Sequence, residues 1–282
     1  MTEATILEQC AAGKISPRIA LSRLLLAGAL PDPAALRRIA TERGNSSALM
    51  DMAALAERHR ERLPALRTLA QSGLSPEGED MIAATAHLFD RLAADAPEAG
   101  VAFYSFGDAE TLAAATAELV DVIRSWAPPK SRRVLDFGCG IGRLAIALAD
   151  EAADVLALDL SAGMVAEARR RAGPRSNLRF VESNGRDLAP ASEASIDLLI
   201  AADSLPYVVR ADTIEPFMRD AARVLTAGGD LLIFNWSYRG DPDRDRREAQ
   251  ALASRFGFTL LRAGEQPFRI WDASAFHLRR AS

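Results

Sequence analysis

Three alternate glycines are the feature of this sequence with the clearest chemical meaning. An apolar segment ends in Asp136 and Phe137, and Gly138, Gly140 and Gly142 follow directly. This pattern predicts a strand that turns sharply into a helix, with glycine wherever a side chain would block a ligand. A second apolar run ends in Asp159, whose carboxylate is placed to accept hydrogen bonds from the two hydroxyls of a ribose. These residues together predict an adenosine-containing ligand at the carboxyl ends of a parallel sheet.

The glycine spacing distinguishes between two classes of adenosine ligand. A dinucleotide-binding turn has the pattern G-x-G-x-x-G, whereas this chain has G-x-G-x-G, with Arg143 where the third dinucleotide glycine would stand. Asp136 would repel a pyrophosphate, but it suits a ligand with a cationic amino-acid tail. We therefore disfavour a nicotinamide-dependent dehydrogenase, an alternative that a titration with nicotinamide dinucleotides would decide.

The segment Asp136–Gly142 resembles the first motif, D-x-G-x-G-x-G, of class I S-adenosylmethionine-dependent methyltransferases. Further segments resemble the second, third, fourth and fifth strand regions of that family in the expected order, at residues 158–164, 180–188, 196–204 and 221–233. The resemblance implies an α/β protein with a Rossmann-like, seven-stranded, mostly parallel sheet whose seventh strand is antiparallel. It also implies S-adenosylmethionine as the cofactor and S-adenosylhomocysteine as the product.

The resemblance further implies which residues contact the cofactor. Asp159 would hold the ribose and Leu160 would pack on the adenine, while Asn184 stands where the family usually has an Asp that meets the adenine amino group. The amide oxygen of Asn can accept the same hydrogen bond without a charge. Cys139 is interpreted as a small residue that fills the turn rather than as a nucleophile. The expected cofactor-binding residues are Asp136, Gly138, Cys139, Gly140, Gly142, Asp159, Leu160, Met164, Asn184, Gly185 and Ala202.

Methyl transfer from a sulfonium requires the acceptor lone pair to be aligned with the methyl carbon and water to be excluded. We expect the acceptor where the fourth and fifth strands end. Asp203 is the candidate general base or orienting group, with a capping role in the following loop as the alternative. Tyr207 could shape the acceptor pocket, and Tyr104 is expected to close over the methionine end of the cofactor. These three residues are the candidate catalytic residues.

A second set of residues could reach the rim of the same pocket. Two of its members are arginines, which would suit a carboxylate or phosphate on the acceptor, although surface arginines usually only interact with solvent. The candidate substrate-binding residues are Asn235, Tyr238, Arg239, Arg269 and Trp271.

The charge, the apolar segments and the cysteines of the chain indicate which acceptors and which cellular compartment to expect. The chain has 282 residues and a net charge of −4, so no basic field indicates nucleic acid. The segment 202–207 also lacks the N-P-P-Y or D-P-P-Y pattern of amino-methylating DNA enzymes, which favours a small-molecule acceptor. No apolar run approaches the roughly 20 residues that span a bilayer, and two cysteines, one in the glycine turn, favour a reducing cytoplasm. Neither nucleic acid nor a membrane is therefore an expected partner.

The three histidines, His59, His87 and His277, have no metal-ligand spacing, so no metal site is predicted. His87 lies among apolar helical neighbours and is expected to be packed, and His277 in the last strand is interpreted in the same way. The polar residues 239–246 are expected to form a loop before a helix that starts at Arg247.

Two domains are predicted. Residues 1–98 are expected to form an all-α domain of four or five helices, with starts after Ser16-Pro17, at Pro31–Pro33 and at Ser75–Asp80. This domain would serve as a lid, a substrate surface or the interface of a homodimer. Residues 99–282 are expected to form the S-adenosylmethionine-binding domain.

Three functional hypotheses follow from the sequence. The leading one is a methyltransferase acting by in-line displacement on an O, N or S atom of a small molecule. An aminopropyl transferase on the same fold is disfavoured by the scarcity of acids after the fourth strand. A non-catalytic cofactor-binding protein, with the N-terminal helices as its interface, remains open because an intact glycine motif indicates binding but does not establish chemistry.

Overall fold

The computed structural model describes residues 2–72 and 80–281, and the chain divides into two compact units. The first unit comprises Met1–Glu77, Glu98–Ala115 and Arg269–Asp272. The second unit comprises Gly78–Pro97, Thr116–Phe268 and Ala273–Ser282. The helix Met81–Asp95, which the sequence assigns to the N-terminal domain, thus belongs to the second unit. The domain boundary at residue 98 stays a prediction.

The helices in the first part of the chain begin at residues with good capping chemistry. The Ser16 side chain accepts a hydrogen bond from the Ile19 N–H, and Asp32 accepts one from the Ala35 N–H. Proline follows each cap, at the first helical position, where its missing N–H costs no hydrogen bond. The helices are α1 (Glu3–Ala11), α2 (Pro17–Leu26), α3 (Pro33–Glu42), α4 (Ser47–Arg58), α5 (Leu63–Ser72), α6 (Met81–Asp95), α7 (Pro97–Val101) and α8 (Ala109–Trp126).

This part of the chain contains more helices than the sequence analysis counted. Six helices, α1 to α6, end before residue 98 in the described part, because Glu3–Ala11 also folds, with the Thr2 side chain as its cap. Residues 73–79, which include most of the predicted helix start at Ser75–Asp80, lie outside the described residues. The helix α6 begins directly after Asp80, whose side chain accepts a hydrogen bond from the Ile82 N–H.

The second unit contains a seven-stranded sheet in the order β3-β2-β1-β4-β5-β7-β6. β7 is antiparallel to β5 and β6, and the pairs among β1 to β5 are parallel. The strands are β1 (Arg133–Phe137), β2 (Asp154–Asp159), β3 (Leu178–Glu182), β4 (Ile196–Ala202), β5 (Leu225–Phe234), β6 (Phe258–Glu265) and β7 (Ala275–Arg280). The helices among them are α9 (Arg143–Leu148), α10 (Ala162–Ala172), α11 (Leu205–Arg210), α12 (Ile214–Val224) and α13 (Pro242–Arg255). The predicted Rossmann-like α/β fold is confirmed.

The strand order reverses at β1, which lies between β2 and β4. In open α/β sheets, ligands bind beyond the carboxyl ends of the strands at such a reversal. The central strands are apolar because helices cover both faces of the sheet, and Leu135, Leu156 and Leu199 are completely or almost completely buried. This core fixes the strand ends at which the polar residues stand.

Two predictions in this unit were wrong. The stretch 239–246 is not all loop, because α13 begins at Pro242 after Asp241, whose side chain accepts a hydrogen bond from the Arg244 N–H. His87 is exposed on α6 rather than packed. His277 is buried as expected, with its Nε2 2.8 Å from Asp230 Oδ1.

No helix in the described parts of the chain has both the length and the apolar character needed to cross a membrane.

Candidate active site

The glycine turn between β1 and α9 is fastened to the end of β2 by backbone hydrogen bonds. The N–H groups of Gly138 and Cys139 both donate to the Leu158 carbonyl, at 2.8 Å and 2.9 Å. The three glycines of the turn have φ values of +73°, +53° and +77°, in the left-handed region that side chains disfavour. The turn is therefore held in one conformation by the neighbouring strand.

Two of these glycines are also required by packing. A Cβ on Gly138 would lie 2.3 Å from the Cβ of Ser204, just beyond β4, and a Cβ on Gly142 would lie 2.8 Å from the ring of Phe180. Neither distance is sterically possible for a real side chain. The glycines therefore allow the turn to pack closely against β3 and β4, and they also leave space for a ligand.

Asp159, the last residue of β2, connects the glycine turn to the start of α10. Its Oδ2 accepts the Gly140 N–H at 2.7 Å, and its Oδ1 accepts the Ser161 N–H at 2.9 Å. Burial raises the pKa of Asp159 to about 6, against the lowering effect of these hydrogen bonds. Each carboxylate oxygen can accept a further hydrogen bond. The arrangement is compatible with the predicted contact to a ribose.

Asp136, near the end of β1, carries an unsatisfied buried oxygen. The residue is 1% exposed, and its Oδ2 has no hydrogen-bond partner within the described residues. Burial raises the pKa of Asp136 to about 7, with Arg143 opposing the shift and Asp159 adding to it. A buried polar atom without a partner is costly, and such atoms are rare in folded proteins. A ligand that brings a cationic donor to this oxygen would remove the cost.

The remaining predicted cofactor residues surround the same strand ends. A Cβ on Gly185 would lie 3.7 Å from the Leu160 Cβ and 3.1 Å from the Ile82 Cγ2, so these residues are neighbours. Ile82 belongs to α6 and was missed by the sequence analysis. Met164 is buried in α10, and Ala202 pairs with Phe234 at the end of β4.

Asn184 uses its amide oxygen within its own loop. Oδ1 accepts the N–H groups of Arg186 and Asp187, at 2.8 Å and 3.1 Å, and Nδ2 donates to Asp187 Oδ2 at 2.9 Å. An amide oxygen has two lone pairs. A contact of Asn184 with adenine therefore stays a prediction, and it would require one of these bonds to break.

Asp203 and Asn235 stand just beyond β4 and β5 and are joined to each other. The Asn235 Nδ2 donates to Asp203 Oδ1 at 2.8 Å, and the Tyr238 hydroxyl donates to the same oxygen at 2.9 Å. Both residues are in the left-handed region, with φ of 62° and 73°. Residues other than glycine seldom adopt this conformation, and they tend to occur at functional sites when they do. The geometry thus directs a carboxylate to the edge where we expected the acceptor.

Aromatic rings surround that carboxylate. The rings of Tyr207 and Tyr238 are 5.8 Å apart at 88°, and Phe89 of α6 lies 5.3 Å from Tyr207 at 78°. Burial and the charge of Asp203 raise the pKa of Tyr207 to about 12. The same causes raise the pKa of Tyr238, although that residue is 58% exposed. Both hydroxyls therefore stay protonated at neutral pH and can donate hydrogen bonds.

A comparison with protein families concerns the part of the chain that contains this site. Residues 134–229, which contain the glycine turn, Asp159 and the end of β4, match the family model described as a methyltransferase domain. This match confirms the resemblance of residues 134–229 to the class I S-adenosylmethionine-dependent methyltransferases. S-adenosylmethionine is the cofactor that this family uses.

This chain matches its curated relatives over only part of their length. It is 34% identical over 120 residues to the demethylmenaquinone methyltransferase of Clavibacter sepedonicus, covering 42% of this chain and 46% of that protein. It is 30% identical over 115 residues to the tRNA 5-carboxymethoxyuridine methyltransferase of Escherichia coli (strain K12), covering 40% and 43%. The chain thus spans about half the length of the curated relatives that it matches.

A solved structure supports the fold. The crystal structure of magnesium protoporphyrin IX methyltransferase from Synechocystis PCC 6803 with bound S-adenosylmethionine aligns with a TM-score of 0.56 and 20% identity. The alignment covers 73% of this chain and 100% of that one.

Arg239, beyond the end of β5, is already paired. Its Nη2 lies 2.7 Å from Asp245 Oδ1 and contacts Glu248, and its Nε donates to the Ser237 hydroxyl at 3.1 Å. The hydrogen bond to Glu248 is the main cause that raises the pKa of Arg239. Binding of an anionic acceptor group by Arg239 stays a prediction, and it would have to compete with two carboxylates.

The other predicted residues belong to the first unit. Tyr104 and Trp271 are both buried there, and their rings stack at 5.9 Å and 21°. Arg269 is exposed. The predicted roles of these three residues toward cofactor and acceptor stay predictions.

Cys139 has the properties of a small buried side chain that fills space in the turn. The side chain is buried, and burial raises the pKa of the thiol, with the charges of Asp159 and Asp136 adding to the shift. A thiol with a raised pKa forms little thiolate, which is the nucleophilic form.

Proposed function

We propose that this methyltransferase transfers a methyl group from S-adenosylmethionine to an O, N or S atom of a small-molecule acceptor. The observation that carries the proposal is the Asp203 carboxylate, which Asn235 and Tyr238 hold beyond the end of β4. The next residue, Ser204, donates a hydrogen bond to the Phe137 carbonyl at 2.6 Å. Asp203 therefore stands one residue from a direct contact with the glycine turn. The cofactor and acceptor would thus meet at adjacent strand ends.

The residues of the site fit the cofactor. Asp159 would hold the ribose hydroxyls, and the unsatisfied Asp136 Oδ2 would face the ammonium group of the methionine part. When bound, the cofactor supplies an electrophilic methyl group on a sulfonium. The glycine turn would approach the ligand closely because it has no side chains at three positions.

The chain's own groups would prepare the acceptor. Asp203 would accept a proton from it or orient it by hydrogen bonding. Tyr207 and Tyr238 would donate hydrogen bonds, and their rings with that of Phe89 would keep water away from the acceptor. Because in-line displacement is sensitive to alignment, we assign most of the catalytic effect to positioning.

A small-molecule acceptor is favoured over tRNA by charge. The net charge is −4, and the acceptor edge presents a carboxylate among aromatic rings, which would repel a phosphate backbone. One relative is named for demethylmenaquinone and another for tRNA, so the relatives do not support the predicted exclusion of nucleic acid. The predicted homodimer through the N-terminal helices and the roles assigned to them also stay proposals.

The proposal is tested by offering the purified protein a labelled methyl donor together with a metabolite panel and, separately, total tRNA. Calorimetry with S-adenosylmethionine and S-adenosylhomocysteine is run in parallel. Label on a metabolite supports the proposal, and label only on tRNA replaces the acceptor class. Cofactor binding without transfer to any acceptor would favour the non-catalytic alternative.

Replacing Asp203 with asparagine is expected to lower turnover at least about tenfold while cofactor affinity changes less than about twofold. The amide oxygen can still accept both hydrogen bonds, so the change removes the charge and basicity but keeps the geometry. The measurement is kcat with the acceptor found in the panel and calorimetry with S-adenosylhomocysteine.

The matched control is Asp212→Asn. Asp212 also has a positive φ, of 56°, but it is exposed after α11. Unchanged turnover in Asp203→Asn would remove Asp203 from the mechanism.

A further inference from the structure

The helix α6 is attached to the cofactor half of the site through Asp90. The Asp90 Oδ1 accepts the Ser161 hydroxyl at 2.6 Å and the Gly163 N–H at 2.9 Å. The Ser161 Oγ in turn accepts the Met164 N–H at 3.0 Å. Asp90 and Ser161 therefore share the capping of α10, because each satisfies a backbone N–H that the helix itself leaves unpaired. The negative charge also suits the positive end of the helix dipole.

The two helices approach closely at this point. A Cβ on Gly163 would lie 3.1 Å from the Ala93 Cβ and 3.4 Å from the Asp90 Cα. The first turn of α10 thus packs on the backbone of α6, and glycine at position 163 is what allows this distance. The contact is specific, and a small shift of either helix would break the hydrogen bonds of Asp90.

A second attachment joins α6 to the loop after β3. The Ile82 side chain lies next to Gly185, and Asp80, the cap of α6, forms an ion pair with Arg186 at 2.7 Å. The loops after β2 and β3 are the ones expected to flank the adenosine part of the cofactor. One helix therefore contacts both of them.

A chain of hydrogen bonds leads from Asp90 to the residue expected to hold the ribose. Ser161 donates its hydroxyl to Asp90 and its backbone N–H to Asp159 Oδ1, and Asp159 Oδ2 accepts the Gly140 N–H. Ser161 is thus fixed from both sides. The charge of Asp90 adds to burial in raising the pKa of Asp159, and the other titratable groups that face Asp159 are Asp136 and Cys139.

We propose that Asp90 is a positioning residue of the cofactor site, which acts through Ser161 to fix the Asp159 carboxylate and holds α6 against the loops that flank the adenosine. The inference rests on the proposed function, since it takes Asp159 as the ribose ligand. Asp90 acts on the site through another residue, so its loss should change how the cofactor is held rather than the transfer step itself.

The test measures binding of S-adenosylhomocysteine to the full chain by calorimetry and stopped-flow fluorescence, from pH 5 to pH 8.5. Asp90→Ala is expected to weaken binding about tenfold at pH 8, with most of the loss in a faster dissociation rate. Asp90→Asn can still accept both hydrogen bonds, so its affinity at pH 8 should stay within about threefold of the wild type.

The pH profile separates positioning from a general structural role. Wild-type affinity should fall in two steps as the pH drops. The first step, at about pH 7, is protonation of Asp136, and the second, at about pH 6, is protonation of Asp159, which loses acceptor capacity. In Asp90→Asn the neighbouring negative charge is gone, so the pKa of Asp159 falls and the second step moves to lower pH. Asp95→Asn, an exposed acid at the end of the same helix, should leave both the affinity and the profile unchanged.

The outcomes are distinguishable. If the wild type does not bind S-adenosylhomocysteine, the proposed function fails. If the wild type binds but Asp90→Ala keeps its affinity and dissociation rate, or Asp90→Asn keeps the wild-type pH profile, the inference about Asp90 is overturned alone. Should Asp90→Ala not fold, the pH profile of Asp90→Asn decides.

Discussion

Replacing Asp159 with alanine is expected to weaken binding of S-adenosylhomocysteine by about 1.5–3 kcal/mol, or roughly 10- to 100-fold. The physical reason is the loss of charged hydrogen bonds to the two ribose hydroxyls. In the wild type, Asp159 also accepts hydrogen bonds from the Gly140 and Ser161 N–H groups. The substitution removes both bonds, so the glycine turn loses this connection to α10. Calorimetry at pH 8, where the wild-type carboxylate is ionised, measures the effect.

Asp154→Ala is the matched control because Asp154 is the first residue of the same strand, at the end away from the site. It forms a 2.9 Å ion pair with Arg179, and both side chains are partly exposed. Exposed ion pairs contribute little to stability, so this variant should bind the ligand as the wild type does. Equal affinities of Asp159→Ala and Asp154→Ala would show that the ligand does not use the end of β2.

The positions of the strands were predictable because each central strand is buried on both faces. Such strands appear as continuous apolar runs, as in Val155–Leu158, and each run here ends in a polar residue. The start of α13 was not predictable in this way, because its first turn is polar and exposed. The only local signal for it is Asp241 followed by Pro242, a cap and a first-turn proline.

The three acids of the site could be found from the sequence because they stand at or just beyond the ends of strands, and parallel strands end at one edge of the sheet. Asp90 and Ile82 could not, since Asp90 is 71 residues away from its partner Ser161 and no local pattern indicates such a contact. The sequence contains only a weak indication that Arg239 is paired with carboxylates. Asp245 and Glu248 are three residues apart on one helix, so both can turn toward the same cation.

Asn184 shows why a matching motif position does not establish a role. The segment Asn184–Asp187 has a polar residue at each end, and the side chain of Asn184 accepts backbone N–H groups two and three residues ahead. This local turn is a common use of asparagine. The sequence pattern fits both this turn and an adenine contact and does not distinguish between them.

Asp136→Asn is expected to stabilise the cofactor-free protein and to weaken its cofactor binding. The folded-state pKa of Asp136, about 7, lies above the usual value near 4. A raised pKa contributes stability that is complete below the unfolded-state pKa and is lost as the pH rises through 7. At pH 8 the buried charge therefore destabilises the fold, and asparagine should raise the free energy of unfolding by about 2 kcal/mol. The gain should shrink as the pH falls and nearly vanish only below about pH 4, the unfolded-state value.

Cofactor affinity should change in the opposite direction. Loss of the carboxylate removes a charged hydrogen bond to the ammonium group of the ligand, which corresponds to at least about tenfold in affinity. A site that is costly when empty and favourable when filled is the general reason for a trade-off between stability and function. Urea unfolding at pH 8 and pH 4, without ligand, and calorimetry at pH 8 measure the two effects.

Asp230 provides the contrasting variant in the same sheet. It is also buried, but it binds His277, Arg279 and Arg132 at 2.8–2.9 Å. Burial alone would raise the pKa of Asp230, and these three partners outweigh it, lowering that pKa to about 2. A depressed pKa contributes stability above the unfolded-state value, which is lost as the pH falls toward 2. Asp230→Asn should therefore lower the free energy of unfolding at pH 8 by about 2 kcal/mol.

Asp136→Asn and Asp230→Asn should change the free energy of unfolding in opposite directions, because the two carboxylates have different partners in the folded chain. Asp230 is satisfied by the protein itself, so its charge stabilises the fold. Asp136 keeps a buried oxygen without a protein partner within the described residues, so its charge is stabilising only toward a ligand. If Asp136→Asn lowered the stability as Asp230→Asn should, Asp136 would have a structural role, and its assignment to the cofactor would be wrong.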